Sequence, residues 1–483
     1  MRTERGMGVA GAATALDPVP HWLAVGSVGV ALILLVTALS FPDGLLWSVG
    51  SCAALLLAAA AQSRRSAYGV LSPFAVIMVG QVLYVLPVAL ALWNGSVLTD
   101  RRLVSPEAMG RAILLANAAL VCFAVGYLLR LAAIAAYSPP RGVAAPWRRT
   151  AVVMVALPMM VLGLAAMMLL VLQLGGPGQL TSVTYGERYL MLQGKGYLYV
   201  GLQVATVGVV LLHLASIESR RMALGVAVVI VTGAILAVWM FMFGSRSSLV
   251  QFVIAIVAVH HIRVRRLRLA VLVPLGGMLV VLMVVFGLAR GLLGRANPVS
   301  LLAAAPSWNY SLANSEFGAA VTALADIMER VPTSTPHVLG ITYPQSFAVL
   351  VPQVLWPDRP LAAGEWYAAT FYPSVWRAGG AFAFSPVAEA YLNFGYAGVL
   401  LLSCLFGSLV GEGELRLARV RALSPWGIAA YALLVPWMLL LSRLDSATLL
   451  KSVGLFTMGP LLVARIGAAV TTIASLPRIA RRT

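Results

Sequence analysis

The stretch LAVLVPLGGMLVVLMVVFGLAR, residues 269–290, followed at once by GLLGRANPVS, residues 291–300, decides how this chain is built. As a helix the first segment matches the roughly 30 Å hydrocarbon core of a bilayer, and its one charge, Arg290, comes last. The second segment ends the apolar train. From Gly291 to Phe384 the sequence is polar, aromatic and proline-rich, and on both sides of it apolar stretches of membrane-spanning length follow one another.

Outward from this point, apolar stretches fall near 23–41, 44–61, 69–93, 109–136, 151–174, 198–216, 223–243, 248–262, 269–290, 385–411, 427–442 and 452–470. The pattern predicts an all-α polytopic membrane protein of about twelve transmembrane helices. Residues 1–290 would carry nine of them, 291–384 one large loop, and 385–483 the last three with a tail. No repeat relates the first six stretches to the last six, which argues against the two-halved architecture of many transporters.

The composition agrees, with 61% hydrophobic and 10% charged residues against about 25% charged in soluble domains. A net charge of +18 in a soluble chain would point to nucleic acid. Here the excess sits in short loops: Arg64 and Arg65; Arg141, Arg148 and Arg149; Arg220 and Arg221; Arg263, Arg265, Arg266 and Arg268; Arg416, Arg419 and Arg421; Arg478, Arg481 and Arg482. The positive-inside rule makes these loops and both termini cytoplasmic and puts the 291–384 loop on the extracytoplasmic face. The alternate loops are near balance, Asp100 with Arg101 and Arg102, Glu187 with Arg188, and Asp445 with Arg443. Nucleic acid is not an expected partner; membrane lipids are. The first apolar stretch outruns a signal peptide and reads as an uncleaved anchor.

Cys52, Cys122 and Cys404 lie inside apolar stretches without metal or redox spacing. His260 and His261 fall in a basic inner loop, and His337 stands alone in the outer one. The chain has no Walker-type loop, dinucleotide fingerprint or nucleophile elbow. No metal and no cofactor are expected.

Within the large loop, Leu301–Ala305 and Phe317–Arg330 have helical periodicity, the second with Glu316, Asp326, Glu329 and Arg330 on polar positions. Pro332, Pro336, Pro344, Pro352, Pro357, Pro360 and Pro373 then rule out long helices. Tyr343, Trp356, Trp366, Tyr367, Tyr372 and Trp376 suit a membrane interface or the stacking of sugar rings.

Arginines at the outer ends of spans run against the charge bias. Arg246, in Gly244-Ser245-Arg246-Ser247-Ser248, either neutralises a helix C-terminal dipole and snorkels to lipid phosphate or holds a diphosphate with its forked guanidinium. Arg290, Arg295 and Arg188 share that face. Ser385-Pro386-Val387-Ala388-Glu389 opens a span with an N-cap serine and a proline at the first helical position. Glu389 is then either a carboxylate stabilised by the helix dipole or a base for a sugar hydroxyl. Arg377, Gly379, Gly380, Tyr391 and Asn393 stand close enough in sequence to line the same pocket.

The ordered set of these pieces resembles the bacterial oligosaccharide repeat unit polymerases, the O-antigen polymerase or Wzy-like family. The matching pieces are Arg188 before Gly194-Lys195-Gly196-Tyr197, Gly244-Ser245-Arg246, Arg290, Gly340-Ile341-Thr342-Tyr343, Leu355-Trp356-Pro357-Asp358-Arg359-Pro360, and Gly379-Gly380 before the run from Ser385 to Gly398. They extend from the fifth stretch to the tenth. Asp358-Arg359-Pro360 departs from the pattern, which has lysine before the proline. The resemblance implies an architecture like the GT-C-type lipid-linked glycosyltransferases and a metal-independent transferase in the bacterial plasma membrane. It would move a growing glycan from undecaprenyl diphosphate onto a lipid-linked repeat unit, in surface antigen, capsule or exopolysaccharide assembly, and a chain-length regulator is compatible as a partner.

In that reading Arg246 and Arg290 act on the donor diphosphate, Glu389 is the base, and Arg188, Tyr197, Tyr343, Trp356, Arg359, Arg377, Tyr391 and Asn393 bind substrate. Two alternatives stay open. An O-antigen ligase-like enzyme would use the same donor, with His337 as its outer-loop histidine. A flippase of lipid-linked sugars would need charges or broken helices near the bilayer midplane, and the spans have few charges far from their ends.

Overall fold

The computed structural model of the chain describes residues 18–40, 44–66, 68–94, 104–134, 147–182, 191, 195, 198, 200–219, 221–243, 246–292, 318–352, 355–377, 380–421 and 424–474. Among these residues all regular structure is helical. The main helices are α1 (Pro18–Ser40), α2 (Gly44–Arg65), α3 (Pro73–Trp93), α4 (Pro106–Ile134), α5 (Arg149–Gln173), α6 (Gly201–Glu218), α7 (Met222–Phe243), α8 (Arg246–Arg263) and α9 (Leu269–Leu292). Then come α10 (Ala319–Arg330), α11 (Ala363–Phe371), α12 (Pro386–Arg421) and α13 (Pro425–Leu439). The last, α14, runs over 446–474 as an α turn Ser446–Leu449, a π segment Leu450–Met458 and an α stretch Gly459–Ala474.

A helix lies at each of the expected apolar stretches. Among the described residues nine are long and apolar enough to cross a membrane, and Ser247–Arg263, Leu269–Leu282 and Pro425–Leu439 are shorter apolar helices. Their outward faces carry side chains that water would not tolerate, such as Leu162, Leu401 and Ile473, each about two-thirds exposed. The chain is a multi-pass membrane protein.

Where apolar helices meet inside lipid, small residues let the backbones approach. At the crossing of α4 and α12, a Cβ on Gly126 would fall 1.9 Å from the Cys404 carbonyl oxygen, and one on Gly407 would fall 2.0 Å from that of Phe123. At one end of α4, Glu414 of α12 accepts hydrogen bonds from the Ser66 hydroxyl and from Tyr127, and Arg130 pairs with Glu412 at 3.0 Å. At the other end, Glu329 Oε1 accepts from the Ser105 backbone N–H at 3.1 Å and hydroxyl at 2.5 Å. Segments that the arginine pattern assigns to one side thus meet at one end of α4, and segments assigned to the other side meet at the opposite end.

α10 is docked on the bundle. Val321, Leu324 and Ile327 of α10 share one apolar core with Val85 and Val88 of α3, Ile113 of α4 and Leu392 of α12. Two expectations are corrected here. Asp326 is not on a solvated polar stripe of α10 but 1% exposed, because Tyr367, Tyr372 and Arg330 donate to it. His261 is not in a loop; it sits in the last turn of α8, buried, with Nε2 3.2 Å from the Tyr68 carbonyl oxygen and Nδ1 accepting from the Leu267 N–H.

α12 is broken at Gly395, whose φ of 64° and ψ of −153° are not helical. Backbone groups freed in a membrane helix must find other partners. The Leu392 and Asn393 carbonyls accept from the Val338 and Leu339 N–H groups, both at 3.2 Å.

Candidate functional site

Ser385 and Pro386 start α12 as their types require: the Ser385 hydroxyl accepts from the Ala388 N–H at 3.0 Å, and the proline takes the first helical position. One turn on, the Glu389 carboxylate is 1% exposed. Its Oε1 accepts from the Thr342 hydroxyl at 2.8 Å and the Ser446 hydroxyl at 2.6 Å, and its Oε2 from the Ser446 N–H at 2.7 Å. Asn393 Nδ2 donates to the Thr342 hydroxyl oxygen at 2.7 Å and to the Glu389 carbonyl at 2.8 Å. Three chain segments, 342, 385–393 and 446, therefore close on one carboxylate whose partners are all neutral. Beside it, half-buried Tyr343 stacks on Phe394 with centroids 6.4 Å apart. Burial, and then the Glu389 charge, push the Tyr343 phenol up, so it faces the site as a protonated hydroxyl.

The turn that holds Glu389 is itself capped. Asp445 Oδ1 accepts from the Thr448 N–H at 2.7 Å, and its Oδ2 accepts from the Gly364 N–H at 2.8 Å, which ties α14 to the start of α11. The far side of this turn lines a cavity of about 340 Å³ whose wall includes Ser247 and Gln251 of α8, Glu365 of α11, Arg443, and Thr448 and Lys451 of α14. Lys451 lies in the nine-residue π segment, a rare geometry that recurs at functional sites.

The expected site residues divide into four groups. Glu389, Asn393 and Tyr343 come together. Arg246 is the first residue of α8 and Arg290 lies in the last turn of α9, but their side chains, and the whole of Arg188, Tyr197 and Arg295, lie outside the described residues. Arg246 opens α8 three residues after α7 ends at Phe243, so its backbone position fits both the dipole and the diphosphate reading. Trp356 is 43% exposed, and Arg377 ends the short helix Pro373–Arg377, also exposed.

The last group turns inward. Tyr391 does not line an open pocket: it is buried, and its hydroxyl donates to the Val331 carbonyl at 3.3 Å. Arg359 Nη1 donates to the Val349 and Val351 carbonyls at 3.1 and 3.0 Å, which fastens its own loop. His337 is packed at the break in α12, Nδ1 3.3 Å from the Leu392 carbonyl oxygen and its ring edge-on to Tyr391. Sequence reasoning missed Thr342, Ser446 and Lys451 as site residues. The one signal available was that Lys451 is one of only two lysines in a chain whose other cationic side chains are arginine.

A family model for the O-antigen polysaccharide polymerase Wzy matches residues 150–471, about two-thirds of the chain, from α5 to α14 with the Glu389 cluster and the cavity inside it. Comparison with curated proteins and with solved structures found no match. On the extent of the family match, this chain belongs to the O-antigen polysaccharide polymerase Wzy family.

Proposed function

We propose that the protein polymerises lipid-linked oligosaccharide repeat units at the outer face of the bacterial plasma membrane, with both termini in the cytoplasm and an architecture of the GT-C type. The family match over two-thirds of the chain carries this reading. The acceptor is a sugar hydroxyl of a repeat unit on its lipid, and the donor is a growing glycan on undecaprenyl diphosphate. As the hydroxyl oxygen bonds to the donor anomeric carbon, the bond from that carbon to phosphate breaks and the electron pair leaves with the diphosphate. The hydroxyl proton passes to Glu389. A substrate hydroxyl displacing Thr342 or Ser446 from Oε1 would meet a carboxylate already shaped to accept from hydroxyls.

Arg246 and Arg290, with Arg188, hold the diphosphate and meet the charge that develops on it, so that no metal is needed. The N-terminal position of Arg246 supports this, because helix dipole and guanidinium there attract the same anion. Trp356 and Arg377 are exposed and available to the acceptor glycan.

Deletion of the protein is expected to leave single repeat units on their lipid at the outer face, and restoration with Arg246→Ala is expected to leave the same species. Long glycan stranded on its carrier would instead identify a ligase, and units held at the cytoplasmic face a flippase.

A further inference from the structure

The cavity beside the Ser446 turn holds a charge that neither the base nor the three arginines employ. Its wall includes Lys451, Arg443 and Glu365. Lys451 is half-buried, and its Nζ stands 5.5 Å from the centroid of the Phe456 ring. The charged groups that act on it are the Glu365 carboxylate, whose Oε2 takes the Ala362 N–H, and the Arg359 guanidinium, which is fixed on the Val349 and Val351 carbonyls. Among the described residues Lys451 makes no ion pair, and a cation so placed in a membrane helix is costly and marks a pathway or a ligand. The rest of the wall, including the Ser247 and Thr448 hydroxyls and the Gln251 amide, supplies donors of the kind that complete the coordination of an oxyanion.

We propose that this cavity is a phosphate-binding subsite in which Lys451 seats the diphosphate of a lipid-linked substrate. The proposal rests on the polymerase reading for the nature of the lipid. Its location fits the chemistry, because Ser446 grips Glu389 while Thr448 and Lys451, on the same short stretch of α14, face the cavity. The base and the phosphate seat thus lie on two sides of one turn. The prenyl tail has an exit along α14, where Leu455, Leu462 and Val463 are exposed. During transfer the electron pair of the broken bond stays on the departing diphosphate oxygen, and the Lys451 ammonium, a compact point charge, offsets it.

The test is binding of undecaprenyl diphosphate, without sugar, to the full-length protein in nanodiscs, with inorganic diphosphate and undecaprenol as competitors. Lys451→Met should weaken lipid diphosphate binding by about 10- to 100-fold, and Lys451→Arg should stay within several-fold of wild type. Thr448→Val provides a second lesion in the same wall with an expected loss of several-fold, and unfolding midpoints show which variants are folded. Unchanged lipid binding in folded Lys451→Met overturns the subsite. Binding of inorganic diphosphate that depends on Lys451, with lipid binding that does not, overturns the assignment to a lipid headgroup. Because this assay contains no glycan, its outcome is separate from the repeat-unit accumulation that tests polymerisation.

Discussion

Asp326 and Glu389 are buried to the same degree, each 1% exposed, in the same part of the molecule, yet what faces them differs. Asp326 meets a cation: Oδ1 accepts from Arg330 Nε at 2.9 Å, and Oδ2 from the Tyr367 and Tyr372 hydroxyls at 2.5 and 2.9 Å. Arg330 in turn lies 4.8 Å from the Phe371 ring centroid, so the whole knot is compensated within α10, α11 and the residue after it. Glu389 meets two hydroxyls and one N–H, all neutral. Burying a charge without an adjacent counter-ion costs several kcal/mol. The comparison thus sets a carboxylate compensated by its own cation, Asp326, against one held by neutral donors, Glu389, and the base role proposed for Glu389 draws on that difference.

The largest expected effect breaks the comparison on activity. Glu389→Gln preserves shape and most of the hydrogen bonding, and it should lower the polymerisation rate by about 10²- to 10⁴-fold while the protein inserts and unfolds near the wild-type midpoint. The readout is glycan length in cells together with thermal unfolding of the purified protein. If Glu389→Gln instead unfolds the protein and leaves the residual folded fraction active, Glu389 serves the fold alone.

Asp326→Ala should show the reverse. It removes the acceptor shared by the Tyr367 and Tyr372 hydroxyls and Arg330 Nε and opens a buried gap, at about 1–3 kcal/mol for each donor that loses it, and the unfolding midpoint should fall by far more than in Glu389→Gln. Burial pushes the Tyr372 phenol up and persists in the variant, so this tyrosine does not replace the lost anion. Loss of activity in a folded Asp326→Ala protein would place Asp326 in the reaction and erase the distinction.

Sequence made the membrane helices legible because lipid imposes one requirement, length with apolarity, that any window of the chain displays by itself. It also exposed Glu389, since Ser385 and Pro386 announce the helix start three residues earlier. What it hid were partners distant along the chain. Ser446 lies 57 residues from Glu389, and Thr342 lies 47 residues away on a segment with no periodicity to place it. Asp445 reads as a local balance for Arg443, whereas its carboxylate is spent on the Thr448 and Gly364 N–H groups. Asp326 reads as solvated because helical periodicity reports a face and says nothing of which tyrosines will cover it. Starting the last span at 452 left out the turn 446–451, where the two halves of the site join.

The smallest expected effect sharpens the comparison by loosening the support of Glu389 without touching the carboxylate. Gly395 combines φ 64° with ψ −153°, a region open essentially to glycine alone. A Cβ there would stand 3.4 Å from the His337 ring, an ordinary contact, so Gly395→Ala is penalised by its backbone and not by crowding. The cost should be about 1–3 kcal/mol, read as a lowered unfolding midpoint. Relief of that strain toward helix would withdraw the Leu392 and Asn393 carbonyls from Val338 and Leu339, and Thr342 follows three residues after that pairing. Activity should therefore fall more than stability alone dictates, whereas a knot as self-contained as that of Asp326 would not register the change. Equal losses in both measures would mean that the break in α12 serves packing and has no part in holding the Glu389 carboxylate in place.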